Sequence, residues 1–425
     1  MTLSASADDR LTAAASKPAT PKVAKLLSLL LPTALALYAN FQGVGQILIP
    51  LQVEAIDPKA KIANVALLTM ICAATGVLGL MTGGAASDAT RGRWGRRTPW
   101  LLAMALASAL ISILLGMQHG LAGIAVLYGA LWFTLNCFQG AMLATTPDRV
   151  PDNRRGIASS IIGMAAPLGS LIGVNVAAVV AIEWGYASLG AALIASTVIF
   201  VVFAREGPWR AVARTAPASG SGRRLRLGAF LESFKSRDFA LAYAFRVLMF
   251  IAQYSINNYI LYILQDFVGV QNVPTGNAQI AAGLLNSLRM LATIAAIAVG
   301  FWLASRTARR KIFAQGYAIV MAIAMLAPVF SPTWSGVLIF SALGGVAVGG
   351  YSAIDLSLMS HVLPNKHSAG RDLAFLVMAG ASSQFVAPLL GGVVIRTMGY
   401  QQLFVVCALL TLVCGAVSHF IRGVR

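Results

Sequence analysis

Gly84-Ala85-Ala86-Ser87-Asp88-Ala89-Thr90-Arg91-Gly92-Arg93-Trp94-Gly95-Arg96-Arg97-Thr98-Pro99-Trp100 is a dense block of charge between two long apolar runs. Two such runs joined by a cationic loop read as membrane helices with a cytoplasmic turn. The composition of all 425 residues agrees: apolar residues make up 58% and charged ones 11%, which excludes an ordinary set of soluble domains. A net charge of +18 raises nucleic acid as a partner. The charges, however, lie in loops between apolar runs with no interleaved aromatic platform, so nucleic acid is set aside and the positive-inside reading kept. The four cysteines, Cys72, Cys137, Cys407 and Cys414, fall inside apolar runs without the paired spacing of a zinc or redox site. Free buried thiols, no disulfide and no metal are expected.

With about twenty apolar residues to a span, the N-terminal half offers runs at Leu26–Ile49, Val65–Gly84, Leu101–Met117, Gly120–Thr145, Ile157–Ile182 and Ala187–Ala204. The second half offers Phe239–Val268, Ile280–Ala304, Ile312–Phe330, Gly336–Val362, Leu373–Ile395 and Leu403–Ile421. The expected protein is an all-α membrane protein of twelve transmembrane helices. Its expected parts are a disordered cytoplasmic tail (1–24), an N-terminal six-helix bundle (25–204), a cytoplasmic linker (205–238) and a C-terminal six-helix bundle (239–425). The linker contains Ala216-Pro217-Ala218-Ser219-Gly220-Ser221-Gly222 and Arg223-Arg224-Leu225-Arg226, a flexible composition with basic flanks. A cleaved signal peptide competes for the N-terminus, with Thr33-Ala34-Leu35-Ala36 as its small-residue site. The apolar run continues through Tyr38 to Ile49, beyond a signal peptide's core.

Charge sets the orientation. With both termini inside, twenty-seven of the 32 Lys and Arg fall on the cytoplasmic side, and only Lys59, Lys61 and Arg396 lie outside. The expected location is a cell membrane crossed many times, a bacterial inner membrane. The halves also repeat. Pro147-Asp148-Arg149-Val150-Pro151-Asp152-Asn153-Arg154-Arg155-Gly156 closes span 4, and Ser360-His361-Val362-Leu363-Pro364-Asn365-Lys366-His367-Ser368-Ala369-Gly370 closes span 10 about 213 residues later. Ser305-Arg306-Thr307-Ala308-Arg309-Arg310-Lys311 stands after span 8 where the Asp88 loop stands after span 2, with its acid lost.

The Asp88 block resembles the signature loop between helices 2 and 3 of the major facilitator superfamily, which has Gly, three residues, Asp, and then Gly-Arg-Arg. Seven positions bring Asp88 to Gly95 here. That longer form resembles the glycoside-pentoside-hexuronide cation symporters and the related sucrose–proton symporters, which place Arg directly after the Asp where this chain has Ala89. The resemblance implies two parallel six-helix half-repeats that rock about a central cavity. It implies a secondary transporter without cofactor or nucleotide hydrolysis, monomeric, importing a sugar or glycoside with a proton or sodium ion. By the same resemblance Asp88, Arg96 and Arg97 latch the cytoplasmic side, Asp148 and Arg149 join that network, and helices 1, 4 and 7 line the cavity. Arg91 and Arg93 are as well suited to anionic lipid headgroups.

An ionisable side chain inside a span costs at least ~2.5–3.5 kcal/mol on insertion scales, so three residues stand out: Asp355 in span 10, Arg246 in span 7 and Arg289 in span 8. Asp355 and Arg246 sit at similar depth and are expected to face one another. They form either a cation-coupling pair, in which Asp355 takes and releases a proton under the field of Arg246, or a permanently ionised structural pair. Arg289 either binds an anionic substrate or serves as an internal counter-charge.

Neutral polar groups make a second constellation. Span 7 carries Gln253, Tyr254, Asn257, Asn258 and Tyr262, with 254, 258 and 262 on one face at four-residue spacing and 253 and 257 on another. Span 1 adds Asn40, Gln42 and Gln46, and span 4 adds Asn136 and Gln139. Amides bond sugar hydroxyls and aromatic faces stack on pyranose rings. The alternative for each is a hydrogen bond between helices, which alone can retain an Asn or Gln in a bundle. The rival function is a proton-linked exporter of drugs or other amphipaths, for which Phe245, Met249 and Phe250 would supply an apolar lining; a simple uniporter is a further variant. A membrane-embedded enzyme lacks its His/Cys/carboxylate cluster, since His361 and His367 read as solvated residues at the end of span 10. A receptor would need a sizeable sensor domain. Pro167-Leu168-Gly169, Gly344-Gly345, Gly349-Gly350 and Pro388 with Gly391-Gly392 read as packing and bending elements.

Overall fold

The computed structural model describes residues 21–206, 234, 236–306, 310–361 and 369–420. The tail to residue 20, nearly all of the basic linker, the loop at 307–309, the segment 362–368 that contains His367, and residues 421–425 lie outside the described residues. Among the described residues the chain is built from twelve long helical segments. The first, α1, runs Pro21–Gly43, passes through a π-helical turn at Val44–Leu48 and continues over Ile49–Ile56. Then come α2 (Lys61–Ala89), α3 (Thr98–Gly116), α4 (Leu121–Arg149), α5 (Arg155–Val179) and α6 (Ile182–Phe203). The second set is α7 (Arg237–Asn257), α8 (Ala278–Arg306), α9 (Arg310–Phe330), α10 (Trp334–His361), α11 (Ala369–Met398) and α12 (Tyr400–His419). Eleven are long and apolar enough to cross a membrane. A helix bonds its own backbone polar groups, which is what hydrocarbon demands of any lipid-exposed segment.

The described chain forms two compact units. One comprises Met1–Gly43, Thr75–Gly173 and Ala181–Arg210. In it α3 packs on α4 and α6, and α1 on α6, around buried Leu37, Leu135, Phe138, Tyr186 and Leu193. Leu106, Leu110, Val126 and Trp184 remain exposed, as befits a lipid-facing surface. The other unit comprises Val44–Ala74, Val174–Val180 and Ala211–Arg425. There α10 lies against α8 and α9, α12 against α7 and α9, and α7 against α11, around Phe239, Phe245, Met325, Val337, Phe404 and Cys407.

Among the helix pairs that approach closely through glycine, two are equivalent in the two halves of the chain. On α2, Gly79 and Gly83 face the backbone of Phe133 and Cys137 on α4, and a Cβ at Gly83 would overlap Cys137. On α10, Gly345 and Gly349 face Arg289 and Thr293 on α8. Both pairs join the second and fourth helix of a six-helix set, and in both the partner helix adds a glycine of its own, Gly140 of α4 against Leu80 and Gly84, and Gly300 of α8 against Gly350 and Ala353.

Two helices depart from regularity. Pro50 has no N–H and its ring crowds the carbonyl four residues back, at Gln46; the widened turn at Val44–Leu48 absorbs that clash. The seventh span, which the sequence presents as one run to Val268, is interrupted at Asn258–Tyr259 and resumes as Ile260–Tyr262 and a π-helical Ile263–Gly269. Neither Gly nor Pro marks the break. It is held from outside: Tyr259 Oη donates to the Pro388 carbonyl at 2.7 Å, and Ser255 Oγ to that of Ala387 at 2.9 Å, both on α11.

Gly83 and Gly84 make a paired test. Gly84 has nothing within 4 Å of an added Cβ. Gly83→Ala is expected to cost about 1–3 kcal/mol through overpacking, whereas Gly84→Ala is expected to gain about 0.5–1 kcal/mol of helix propensity. Thermal unfolding in detergent reads both; equal melting temperatures would refute the α2–α4 contact.

Candidate functional site

The Asp88 loop folds around Arg97. The chain leaves α2 at Ala89, turns tightly where Gly95 N donates to Gly92 O at 3.2 Å, and enters α3 at Thr98-Pro99. Gly95 adopts φ +88°, open to glycine at no steric cost. This turn delivers Arg97 inward, its side chain only 4% accessible. Arg97 Nη2 lies 2.6 Å from Asp88 Oδ1 and 2.8 Å from Asp148 Oδ2, while Nε donates to Asp148 Oδ2 at 2.9 Å and Nη1 to Ser87 Oγ. Arg96 reaches Asp88 from the wet side, donating to its carbonyl and carboxylate oxygens at 2.9 Å. Of the five residues the sequence assigns here, Asp88, Arg96, Arg97 and Asp148 come together. Arg149 instead donates to the carbonyls of Ala204 and Arg205 at 2.6 and 3.1 Å, closing the end of α6.

Glu206 was not anticipated. Its Oε2 accepts from the backbone N–H of Arg97 and Thr98 at 2.9 and 3.1 Å, neutralising the first free donors of α3. The available signal was its place as the first acid after the sixth apolar run, in an interval otherwise rich in arginine.

The intramembrane charges form two layers on α7. Arg246 Nη1 lies 2.9 Å from Asp355 Oδ2 on α10, with side chains 12% and 17% accessible. The guanidinium sits 5.3 Å from the Phe250 ring centroid, and Tyr351, one turn before Asp355, adjoins the carboxylate. Eleven residues further along α7, roughly 16 Å at helical rise, Arg289 of α8 donates Nη1–H to Asn257 Oδ1. Tyr254 stands about one turn before Asn257 on α7.

The neutral groups divide. Asn40 is fully buried, with Nδ2 donating to Ala36 O and Leu189 O at 2.9 and 2.8 Å, so it staples α1 to α6. Asn136 donates to Trp132 O at 2.8 Å, and Gln139 to Tyr38 Oη at 3.2 Å beside the ring contacts of Phe41 with Trp132 and Tyr128 with Trp132. Gln42 and Gln46 are half-buried beside and within the π-helical turn of α1. Gln253, Tyr254 and Asn258 are half-buried and Asn257 is 8% exposed. The break at Asn258–Tyr259 separates Tyr262 from the face of Tyr254; its hydroxyl donates to Pro50 O at 2.8 Å from a fully buried position. On α5, Asn175 donates to Ser287 Oγ of α8 at 2.8 Å, a contact not expected from sequence.

A second ionic cluster gathers around Lys61, the first residue of α2, at the other end of that helix from Asp88. Lys61 Nζ lies 2.9 Å from both Glu54 and Asp266 and 4.6 Å from the Tyr262 ring centroid. Gln265 donates to Glu54 at 2.8 Å, and Tyr400 Oη to Asp266 at 2.6 Å. The ends of α1, α2, the α7 extension and α12 are thereby tied together. In sequence these charges look like solvated loop residues. Their mixed sign, on a face otherwise poor in charge, was the readable clue.

Among these contacts Arg97 carries the greatest load. Arg97→Ala is expected to cost about 1.5–3 kcal/mol, the worth of hydrogen bonds between charged groups. Arg96→Ala, at a more exposed position, is expected to cost under about 1 kcal/mol. Chemical and thermal melts of the purified variants check the ranking, and the reverse order would refute it.

A bacterial homologue of the human lysosomal transporter Spinster, solved inward-facing and unoccupied, superposes with a TM-score of 0.73 at 11% identity over 95% of this chain and 98% of that one. A peptide transporter of the POT type, in complex with sulfate, superposes with a TM-score of 0.70 at 15% identity, over 97% and 98%. At such identities the likeness is one of fold. No curated protein sequence matches the chain. The sequence model of the Major Facilitator Superfamily matches residues 26–280 and 248–424, nearly the whole length, and the chain belongs to that superfamily.

Proposed function

We propose that the chain is a secondary active transporter that moves a small polar solute, a sugar or glycoside, together with a proton by alternating access, with its termini and the Asp88 loop facing the cytoplasm. Membership of a transporter superfamily supports solute transport in general. The observation that carries the coupled reading is the Arg246–Asp355 pair, buried between α7 and α10 at 2.9 Å. A carboxylate so placed is neutralised either by its arginine or by a proton. Protonation of Asp355 frees Arg246, and proton release restores the pair, so the two states of this contact supply a two-position element on which a proton gradient acts. Gln253, Tyr254 and Asn257 on α7 lie about two to three turns from that element and offer amide and phenol groups to solute hydroxyls. The aromatic and amide groups of Tyr38, Trp132 and Gln139 offer stacking and hydrogen bonds of the same kind. The exporter reading loses part of its support, because Phe245 and Met249 are only 1% and 2% exposed and serve packing.

Purified protein in sealed liposomes with a trapped pH-sensitive dye tests this. Lumenal acidification on adding one sugar class outside is the expected result; alkalinisation or dye efflux with amphipathic cations and silence with every sugar would favour export. With one proton per solute, a gradient of one pH unit sustains about tenfold accumulation. Asp355→Asn is expected to reduce accumulation to the level outside while sparing solute exchange, and unchanged accumulation would remove Asp355 from coupling.

A further inference from the structure

Arg246 and Asp355 balance one another, but Arg289 has no carboxylate at ion-pair distance among the described residues. Its guanidinium carries five N–H donors. Asn257 Oδ1 takes one of them. The residue lies near the middle of α8 and is half-buried. The first segment of α7 ends at Asn257, and the end of a helix dipole carries at most about half a negative charge, too little to neutralise a guanidinium. A cation left uncompensated within a span is costly, and the cost is removed when an anion arrives.

We propose that the transported solute carries a carboxylate, and that Arg289 binds it as a two-pronged donor with Asn257 and Tyr254 beside it. The inference rests on reading the α7–α8 polar face as the solute site, and narrows it from polar solutes at large to monoanions. Charge counting sets the class: one uncompensated cation balances one negative charge, whereas a phosphate dianion would leave an excess. The planar guanidinium matches a carboxylate in two parallel hydrogen bonds. With Oδ1 engaged by Arg289, Asn257 still has its NH2 to donate, and the Tyr254 phenol adds a third kind of donor. A monoanion carried with one proton moves no net charge, so uptake would be insensitive to membrane potential.

The test uses matched acids and neutral analogues, gluconate against glucitol and galacturonate against galactose, with melting temperature of the purified full-length protein as the binding readout. Each acid is expected to raise the melting temperature and each neutral analogue to leave it unchanged. Arg289→Gln is expected to weaken acid binding at least tenfold, with Arg289→Lys retaining part of it. Should Arg289→Gln fail to fold, Asn257→Asp serves instead. It places a permanent carboxylate beside the guanidinium, and is expected to abolish acid binding while raising the melting temperature of the unliganded protein. Neutral analogues binding as well as the acids, no shift with either acid, or acid binding untouched by both variants would each overturn the proposal and leave Arg289 as the counter-charge of the α7 end. Acid binding without lumenal acidification would reject proton coupling and leave the anion site standing. Proton-linked uptake confined to neutral sugars would do the reverse.

Discussion

Hydrocarbon offers no hydrogen bonds, so each polar group inside a span must find its partner within the protein. The helices here are arranged around that requirement. Asn40 spends both amide hydrogens on carbonyls of α1 and α6. Thr293 bonds its own helix and the Gly345 carbonyl of α10. At Arg246 and Asp355 the partner of a charged group is itself charged. These bonds are individually modest, about 0.6 kcal/mol on average between helices in a membrane. Their importance is directional, since each fixes the rotation of one helix about its axis relative to its neighbour.

The same requirement explains where regular helix gives way. Pro50 and Pro388 each remove a backbone donor and free a carbonyl upstream. Near both, side chains of the seventh span supply donors: Tyr262 to the Pro50 carbonyl, Tyr259 to that of Pro388 and Ser255 to that of Ala387. The interruption at Asn258–Tyr259 allows these hydroxyls to point in different directions, which an unbroken helix would forbid for 255, 259 and 262 together. Irregular backbone at this depth is tolerated only where protein or a cavity surrounds it. The break therefore sits among polar side chains and not against lipid.

The helices were legible from sequence because their signal is long and redundant: about twenty apolar residues per span, separated by charge. The Asp88 loop was legible because glycine, acid and arginine at fixed spacing have few other uses. What could not be read were contacts that depend on how side chains turn after the backbone is placed. Arg149 sits beside Asp148 in sequence, yet successive helical residues point about 100° apart, and it caps α6 instead. Tyr262 lost its expected face through a break that no local residue announces. Glu206 and Lys61 act through partners 109 and 205 positions away, with Arg97 and Asp266 respectively, a separation at which sequence spacing carries no information.

In the α2–α4 and α8–α10 helix pairs both partners are notched: Gly79 and Gly83 of α2 meet α4 while Gly140 of α4 meets α2, and Gly345 and Gly349 of α10 meet α8 while Gly300 of α8 meets α10. Each helix is hollow where the other is raised, so the relief of one is cut to that of its own partner. A chimera that exchanged single helices between halves would therefore fail at this seam, while one that exchanged the second and fourth together would keep its fit. For transplantation, the indivisible part is the pair.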